Sequence, residues 1–282
     1  MLKPLLKNVD NPVSLPPLRE VIRAHELRAE KSLGQNFLLD QNITDKIVRL
    51  SGDFDGVTAI EVGPGPGGLT RSLLQSSAAK VVAIEFDARA VAAITDLKSV
   101  YGDRLDIIHG DAMKVDVTAI ASAPRVIVAN LPYNISVVLL AQWLELIRAD
   151  RGVVNFMALM FQKEVADRIL AGEGSKTYGR ISVMAQWLCT TKRLFDLPPS
   201  AFTPPPKVKS TVVQFIPRVM DADAPPFDVM EEILAAAFNQ RRKMVRSSLS
   251  DYAAAMEKAG TETTKRAEDL SVEDFVKIAK AV

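Results

Sequence analysis

The sequence has few of the residues from which metal sites and nucleophiles are usually built. Its 282 residues include one cysteine, Cys189, and two histidines, His25 and His109. A single cysteine excludes a disulfide within the chain and a cysteine-rich zinc site, and Cys189 lies in an apolar run typical of a core. Two histidines favour neither a His-built metal site nor a Ser–His pair. We therefore expect no metal.

Long hydrophobic runs are also missing. No stretch approaches the roughly 20 apolar residues that cross a bilayer. The start of the chain contains Asp10 and four prolines within residues 1–18, which interrupt anything resembling a signal peptide. With 48% hydrophobic and 24% charged residues, the composition is that of an ordinary globular protein. We expect a cytoplasmic protein.

The net charge of +1 does not indicate a polyanionic partner, but the basic residues are unevenly placed. The segment RRKMVR at 241–246 has four basic residues in six, and KVK at 207–209 adds two. Such runs are usually solvated helix faces, and they also serve as phosphate contacts. The candidate RNA contacts are Lys207, Lys209, Arg241, Arg242, Lys243 and Arg246.

Strand-like and helix-like segments alternate from about residue 56. Short β-branched runs such as VTAIEV, KVVAIEF, LDIIHGDA, RVIVAN and GVVNFMALMF predict five strands. The intervening GLTRSLLQSSA, DARAVAAITDLKSVYG and SVVLLAQWLELIRAD have helical spacing, and QNITDKIVRLS at 41–51 predicts an earlier helix. This alternation predicts an α/β fold with a parallel sheet covered by helices on both faces.

The pattern changes towards the end of the chain. The runs RISVMAQWLC and KSTVVQFIP are separated by the proline-rich DLPPSAFTPPPK, and we expect them to form an antiparallel pair at one sheet edge. RVMDADAPPFD reads as a linker, and the segments after it are helical in pattern, with Ser271 and Asp274 as a capping box. We predict an N-terminal extension at 1–30, an α/β domain at 31–218 and a helical domain at 219–282.

A glycine loop follows the first predicted strand. In IEVGPGPGGLT, Gly63, Gly65 and Gly68 fit G-x-G-x-x-G between a strand and a helix. Glu85 lies twenty residues after Gly65, where a carboxylate can hold the ribose hydroxyls of a nucleoside. Asp111, in GDAM after the third strand, can accept from an adenine amino group or cap the next helix. The combination predicts a ligand with an adenosine-like group.

Two residues of the loop favour a cationic ligand over a pyrophosphate. Pro66 removes an N–H that could face a phosphate. Glu61 places a carboxylate beside the first glycine, which suits a cation. S-adenosylmethionine carries a sulfonium and an amino group and no phosphate, and we expect it to be the cofactor.

The segment NLPY directly follows the fourth predicted strand. Ligands of open parallel sheets bind outside the carboxyl ends of the strands, so Asn130 should lie beside the reactive methyl group. The Asn130 side-chain oxygen and a backbone carbonyl near Leu131 can accept both hydrogens of an adenine amino group. Pro132 biases Leu131 towards an extended conformation and so directs that carbonyl. The alternative, a proline turn with a capping asparagine, is the simpler interpretation of this segment taken alone.

Two aromatic residues are candidates for stacking on a target base. Tyr133 belongs to the same turn and offers a flat ring, as aromatic residues do for bases drawn out of a helix. Phe202 lies in PPSAFTPPPKV between prolines, and we expect its ring to be exposed. The alternative is that Phe202 fills a gap between the two domains.

The chain resembles the small-subunit ribosomal RNA adenine dimethyltransferases, the kasugamycin-sensitivity family. The segments that carry the resemblance run from residue 31 to residue 249: KSLGQNFLLD, EVGPGPGGLT, GDAM, NLPYNIS, FQKEVADRI, GSKTYGRISV, PPSAFTPPPKVKS and RRKMVRSSL. The resemblance implies a class I methyltransferase domain followed by a small helical domain. The N-terminal arm is longer than this family needs, and we expect a disordered or surface-packed extension.

The resemblance also implies a substrate and further site residues. It implies that QNFL folds over the cofactor, so that Asn36 and Leu38 contact it with Gln35 nearby, and that Gly63, Glu85, Asp111 and Asn130 bind it. The implied substrate is a pair of adjacent adenosines near the 3′ end of 16S rRNA in a late precursor of the 30S subunit. Each adenosine receives two methyl groups at N6, in a step of ribosome biogenesis. We expect a monomer.

Other functions stay open at this point. An antibiotic-resistance relative that dimethylates one adenosine of large-subunit rRNA shares the glycine loop and the aromatic turn. A DNA adenine methyltransferase would need a separate target-reading domain, which the sequence does not indicate. A non-catalytic RNA-binding assembly factor is the alternative from another class, and intact Asn130, Pro132 and Tyr133 argue against it. An NAD enzyme is the weakest alternative.

Overall fold

The structure, a computed structural model, describes residues 15–27 and 35–282. The strands of these ranges are β1 (Phe37–Leu38), β2 (Thr58–Val62), β3 (Lys80–Glu85), β4 (Leu105–His109), β5 (Arg125–Ala129), β6 (Met157–Gln162), β7 (Cys189–Leu197), β8 (Phe202–Thr203) and β9 (Ser210–Pro217). The helices are α1 (Leu18–Ala24), α2 (Gln41–Ser51), α3 (Gly68–Gln75), α4 (Ala88–Thr95), α5 (Lys98–Tyr101), α6 (Val117–Ile120), α7 (Ser136–Ala149), α8 (Lys163–Ile169), α9 (Arg180–Leu188), α10 (Phe227–Asn239), α11 (Val245–Ser248), α12 (Ala253–Lys258) and α13 (Val272–Ala281).

A seven-stranded sheet in the order β4-β3-β2-β5-β6-β9-β7 forms the centre of the fold. The first five strands of this order are parallel, and β9 pairs antiparallel with both β6 and β7. The chain winds outwards from β2 to β4 and then returns to place β5 on the other side of β2. This reversal leaves a crevice at the carboxyl ends of β2 and β5, which is where ligands of such sheets bind. The α/β fold class is confirmed.

The expected edge hairpin is present, but its first strand was predicted wrongly. RISVMAQWLC is almost entirely the helix α9, and the strand that pairs with β9 is the following segment, β7. Helix α9 is buried at Val183, Ala185 and Leu188 and contacts α7, α8, α10 and α13. A helix surrounded by other helices has little polar periodicity, so its sequence resembles that of a buried strand.

Two predicted helices are interrupted. DARAVAAITDLKSVYG forms α4 and α5, with buried Leu97 between them. Residues 241–244 of the RRKMVR segment form a turn between α10 and α11, and Val245 and Arg246 begin α11, so the segment is not part of one long helix. The Ser271 capping box is confirmed, since the Ser271 hydroxyl accepts from the Asp274 N–H at 3.1 Å and the Asp274 carboxylate accepts from the Ser271 N–H at 3.0 Å.

Residues 15–27 pack on the outside of the α/β domain. Val21 and Leu27 contact Ala90 and Ala93 of α4, and the Arg71 guanidinium donates to the Pro16 carbonyl at 2.8 Å. The rest of the expected extension, and the start of KSLGQ, lie outside the described residues. The C-terminal helices share one hydrophobic core with α7 and α9, and the domain boundary near residue 218 stays a prediction. In the described part of the chain, no helix is long and apolar enough to span a bilayer.

Candidate functional site

The glycine loop joins β2 to α3 and adopts backbone conformations that suit glycine. Gly63 and Gly65 have φ angles of 70° and 55°, in the left-handed region. A Cβ atom on Gly68 would lie 2.7 Å from the backbone oxygen of Leu38, and one on Gly65 would lie 2.9 Å from the Phe37 ring. The loop therefore permits the close approach of the segment 35–38, whose last two residues form β1.

Glu85, at the end of β3, is bonded to the glycine loop. One carboxylate oxygen accepts from the Gly65 N–H at 3.1 Å, and the other accepts from the N–H groups of Phe86 and Asp87 at 2.8 and 2.9 Å. Burial raises the pKa of Glu85, and these three hydrogen bonds oppose the rise. The carboxylate thus fixes the loop, and it also lines the cavity beside it.

Asn130, which follows β5, is oriented by the segment 35–38. Its side-chain nitrogen donates to the Asn36 carbonyl at 3.0 Å. Because the amide nitrogen makes this bond, the amide oxygen of Asn130 is available to accept a hydrogen bond from a ligand. Asn130 and Asn36 both line the cavity. The amide is therefore held in one orientation beside the glycine loop.

The rest of the NLPY turn packs against the glycine loop and bonds to strand β9. Leu131 is buried, and Pro132 lies next to Gly63, where an added Cβ would be 3.6 Å from the proline ring. The Tyr133 hydroxyl lies 2.6 Å from the hydroxyl of Ser210, the first residue of β9. Burial raises the pKa of Tyr133 and the Ser210 hydrogen bond opposes the rise, so the phenol is neutral at physiological pH. This favours a stacking surface over a general base.

A cavity of about 270 Å³ collects these groups. It lies at the crevice between β2 and β5 and brings together all the residues predicted to bind the cofactor, along with the NLPY turn: Asn36, Leu38, Gly63, Gly65, Glu85, Asp111, Asn130, Leu131, Pro132 and Tyr133. Its lining includes the carboxylates of Glu61, Glu85 and Asp111, and no lysine or arginine of the described ranges lines it. A cationic ligand suits this lining better than a pyrophosphate.

Asp111 both caps a turn and lines the cavity, which are the two roles that the sequence left open. One carboxylate oxygen accepts from the Met113 N–H at 3.0 Å and caps the short 3₁₀ turn Ala112–Lys114. The residue also lines the cavity. The cap occupies one oxygen and fixes the side chain, and the second oxygen lies 3.9 Å from the exposed Lys114 ammonium, a loose ion pair that still lets it accept a hydrogen bond.

Phe202 differs from its prediction. Its ring is 3% exposed and packs in the hydrophobic core, and the residue pairs with Leu38 through the short strands β8 and β1. The expectation of an exposed ring is wrong, because the proline-rich segment turns this side chain inwards against β1. Phe202 supports the segment over the cavity, and direct stacking on a base stays a prediction that requires the ring to become accessible.

The basic residues divide into two groups. The Arg241 guanidinium donates to the carbonyls of Lys176 and Tyr178 at 2.7 and 3.0 Å and pairs with Glu268 at 3.1 Å, so it joins parts of the fold together. The other candidates are exposed, and the structure gives their side chains no ion pair within the described ranges: Lys207, Lys209, Arg242, Lys243 and Arg246.

Some site residues were not predicted from the sequence. Phe86 is 62% exposed and lines the cavity. Because it directly follows Glu85 at the end of a strand, the sequence could have indicated that it belongs to the site. Ser210 is fully buried, and its contact with Tyr133 joins residues 77 positions apart, which no local pattern indicates. In the described residues, no cluster of three or more His, Cys, Asp or Glu side chains could hold a metal ion.

Comparison with known proteins gives one consistent result. Residues 26–282 match the family model described as Ribosomal RNA adenine dimethylase. The chain is 50% identical to "Ribosomal RNA small subunit methyltransferase A" of Rhodospirillum rubrum, over 95% of this chain and 93% of that protein. It is 52% identical to the protein of the same name from Afipia carboxidovorans, over 94% of this chain and 95% of that protein.

Solved structures extend the likeness to the fold. A dimethyladenosine transferase from Plasmodium falciparum superposes with a TM-score of 0.70 at 26% identity, covering 85% of this chain and 94% of that one. The 23S rRNA methyltransferase ErmE superposes with a TM-score of 0.66 at 20% identity, over 87% of this chain and 99% of that one. At that identity, the second likeness shows the fold alone.

Proposed function

This protein belongs to the ribosomal RNA adenine dimethylase family, and from this membership we propose that it transfers methyl groups from S-adenosylmethionine to N6 of two adjacent adenosines near the 3′ end of 16S rRNA. The proposed substrate is a late precursor of the 30S subunit, so that the reaction is a step of ribosome biogenesis in the cytoplasm. The observation that carries the proposal is the Asn130 amide, held by the Asn36 carbonyl at 3.0 Å beside a cavity lined by carboxylates.

The residues around the cavity fit S-adenosylmethionine. Glu85 and Asp111 suit the ribose and adenine, and segment 35–38 closes over the glycine loop. The buried Glu61 carboxylate has one oxygen with no hydrogen-bond partner in the described part of the chain, which suits a cationic ligand. S-adenosylmethionine supplies an electrophilic methyl group when bound. No lysine or arginine of the described ranges lines the cavity, which disfavours a phosphate ligand.

The protein's part in the reaction is to hold the target amine. The adenine amino nitrogen is a poor nucleophile because its lone pair is delocalised into the ring. The Asn130 amide oxygen and the Leu131 carbonyl can accept its hydrogens and stabilise the positive charge that grows on the nitrogen. Tyr133 can stack on the base and hold it in line with the methyl group. Catalysis by oriented dipoles needs no residue with a tuned pKa.

The proposed RNA surface lies around a second cleft. A cavity of about 730 Å³ lies between α7, α9 and α10, and α7 is the helix that follows the NLPY turn in the chain. Its lining includes Arg168, Lys176, Arg180 and Arg241. Arg180 pairs with Glu231 at 3.7 Å and Arg241 with Glu268 at 3.1 Å, so the charge available to RNA comes mainly from Arg168 and Lys176. The exposed Arg242, Lys243 and Arg246 extend this charge. Positive groups around an apolar cleft suit an RNA backbone.

Methyl transfer to three substrates tests this proposal. Labelled S-adenosylmethionine would be offered with small subunits that lack the modification, with naked 16S rRNA and with large subunits. We expect label in dimethyladenosine from the small subunits. Label in large-subunit RNA would instead support the resistance-type activity. If the protein binds small subunits and S-adenosylmethionine and labels none of the substrates, it is a binding factor.

Ser210 should act on the reaction through Tyr133. Ser210→Ala and Tyr133→Phe each remove one side of the 2.6 Å hydrogen bond, which is worth about 1 kcal/mol, so each should lower kcat about fivefold. Cofactor affinity should not change. The double variant should be no slower than either single variant, since both lose the same bond. Ser210→Thr retains the hydroxyl and is the matched control. Additive losses measured in single-turnover transfer would show that the two residues act separately.

Only some of the basic residues in the RRKMVR segment should contact RNA phosphates. Replacing Arg242 and Lys243 by Ala should weaken binding to small subunits and reduce the salt slope of log affinity by about two, roughly one for each phosphate that is no longer neutralised. Arg241→Ala should instead lower the melting temperature, because Arg241 bonds to Lys176, Tyr178 and Glu268. Arg49→Ala, an exposed arginine on α2, is the control. An unchanged salt slope in the double variant would make this turn a solvated surface.

A further inference from the structure

Glu61 is a buried acid at the edge of the proposed cofactor cavity. It is the fourth residue of β2, is 1% exposed and lines the cavity. Its Oε2 atom has no hydrogen-bond partner among the described residues. A buried polar atom without a partner is destabilising, and more so when it is charged. Either a ligand group pairs with this oxygen, or the Glu61 carboxyl group is protonated and neutral.

The groups that face Glu61 favour its neutral form while no cation is present. Glu85 on β3 adds a second negative charge, and Thr70 on α3 offers a hydroxyl. Asp111 and Tyr133 also line the cavity, whereas no lysine or arginine of the described ranges does so. Burial raises the pKa of Glu61 to about 8, and the charge of Glu85 adds to this rise. The Thr70 hydroxyl makes no hydrogen bond within the described residues, so it offsets little of the rise.

We propose that Glu61 loses its proton when S-adenosylmethionine binds, so that cofactor binding releases a proton to solvent and leaves a carboxylate that balances the ligand's positive charge. The inference rests on the proposed function, because it takes S-adenosylmethionine as the methyl donor. That ligand carries a sulfonium and an ammonium against one carboxylate. The demethylated product, S-adenosylhomocysteine, lacks the sulfonium and is neutral overall, so it gives Glu61 less reason to ionise.

The sign of the pH dependence follows from this linkage. The ligand selects the ionised form of Glu61, so the affinity for S-adenosylmethionine should rise with pH and level off above about pH 8, where the empty site is already ionised. Well below that value the affinity should rise almost tenfold per pH unit. Folding stability has the opposite sign, because a raised native pKa means that stability is lost as pH rises from the unfolded value of 4.5 to about 8.

Calorimetry in buffers with different ionisation enthalpies measures the proton directly. At about pH 7, binding of S-adenosylmethionine to the wild-type protein should release most of one proton, and S-adenosylhomocysteine should release clearly less. Glu61→Gln is neutral and similar in size, so it should fold, release no proton and bind with an affinity that varies little with pH. It should also be more stable than the wild type at alkaline pH when empty. Glu257→Gln, an exposed acid on α12, should behave as the wild type.

The possible outcomes separate this inference from the proposed function. S-adenosylmethionine that binds without proton release, or with the same release in Glu61→Gln, overturns the inference and leaves the cofactor assignment intact. Failure of S-adenosylmethionine to bind at all overturns both. If Glu61→Gln does not fold, the pH dependence of the wild-type dissociation constant decides, since a flat profile between about pH 6 and pH 8 contradicts proton release.

Discussion

Asn130→Ala should lower the rate of methyl transfer at least about a hundredfold and weaken cofactor binding less than about tenfold. Removal of one preorganised dipole from a site of developing charge typically costs a factor of about 10²–10³. The Asn130 oxygen is such a dipole, because the Asn36 carbonyl fixes the amide through its nitrogen. Alanine removes both the acceptor and the link to segment 35–38. The effect should therefore be largest on kcat.

Single-turnover transfer and calorimetric binding of S-adenosylmethionine measure the two effects separately. Glu257→Gln is an exposed control that should retain full activity. Asn130→Asp keeps an acceptor oxygen but lacks the donor to Asn36. It should recover part of the rate only if an oxygen that accepts from the target amine is sufficient. Equal losses of transfer and of cofactor binding in Asn130→Ala would assign Asn130 to the cofactor and not to the target amine.

Glu85→Ala should raise the dissociation constant of the cofactor tenfold or more. The loss of one or two charge-assisted hydrogen bonds to the ribose accounts for about tenfold, which corresponds to about 1.4 kcal/mol. The structure adds a second cost, because the carboxylate also accepts from the N–H groups of Gly65, Phe86 and Asp87. Their loss leaves buried donors unpaired and loosens the glycine loop.

Calorimetry and thermal unfolding test the two costs of Glu85→Ala. The variant should melt at a lower temperature even without cofactor, and the stabilisation that the cofactor provides should shrink. Glu85→Gln, which keeps the shape and loses charge, should fall between alanine and the wild type. An unchanged dissociation constant would remove Glu85 from the cofactor site, whatever happened to stability.

The site was more predictable than the fold around it. Gly63 and Gly65 follow a predicted strand, and Glu85 and Asn130 lie at the ends of two others. The ends of parallel strands meet at one edge of a sheet, so local patterns were enough to predict that these residues lie together. Helix α9 was read as a strand because most of its residues are buried and it lacks the broad polar face that marks a surface helix.

What the sequence did not reveal at individual residues has a common physical origin. Phe202, Arg241 and Ser210 have roles set by interactions with residues far away in the sequence, with Leu38, Glu268 and Tyr133 respectively. Flanking prolines or neighbouring charges do not reveal such interactions. The sequence also did not indicate that the pKa of Glu61 is raised, because that rise comes from burial and from the charge of Glu85 on a neighbouring strand. A carboxyl group's charge depends on its surroundings more than on its identity.

The most direct test of the proposed function is the number and position of methyl groups added to unmodified small subunits. Particles incubated with the protein and S-adenosylmethionine would be digested with a ribonuclease, and the 3′-terminal fragment of the 16S rRNA would be weighed and sequenced by mass spectrometry. We predict four added methyl groups, two on each of two adjacent adenosines, and addition at least about a hundredfold slower with Asn130→Ala. Methyl groups on a single adenosine, on another base or on another part of the RNA would contradict the account.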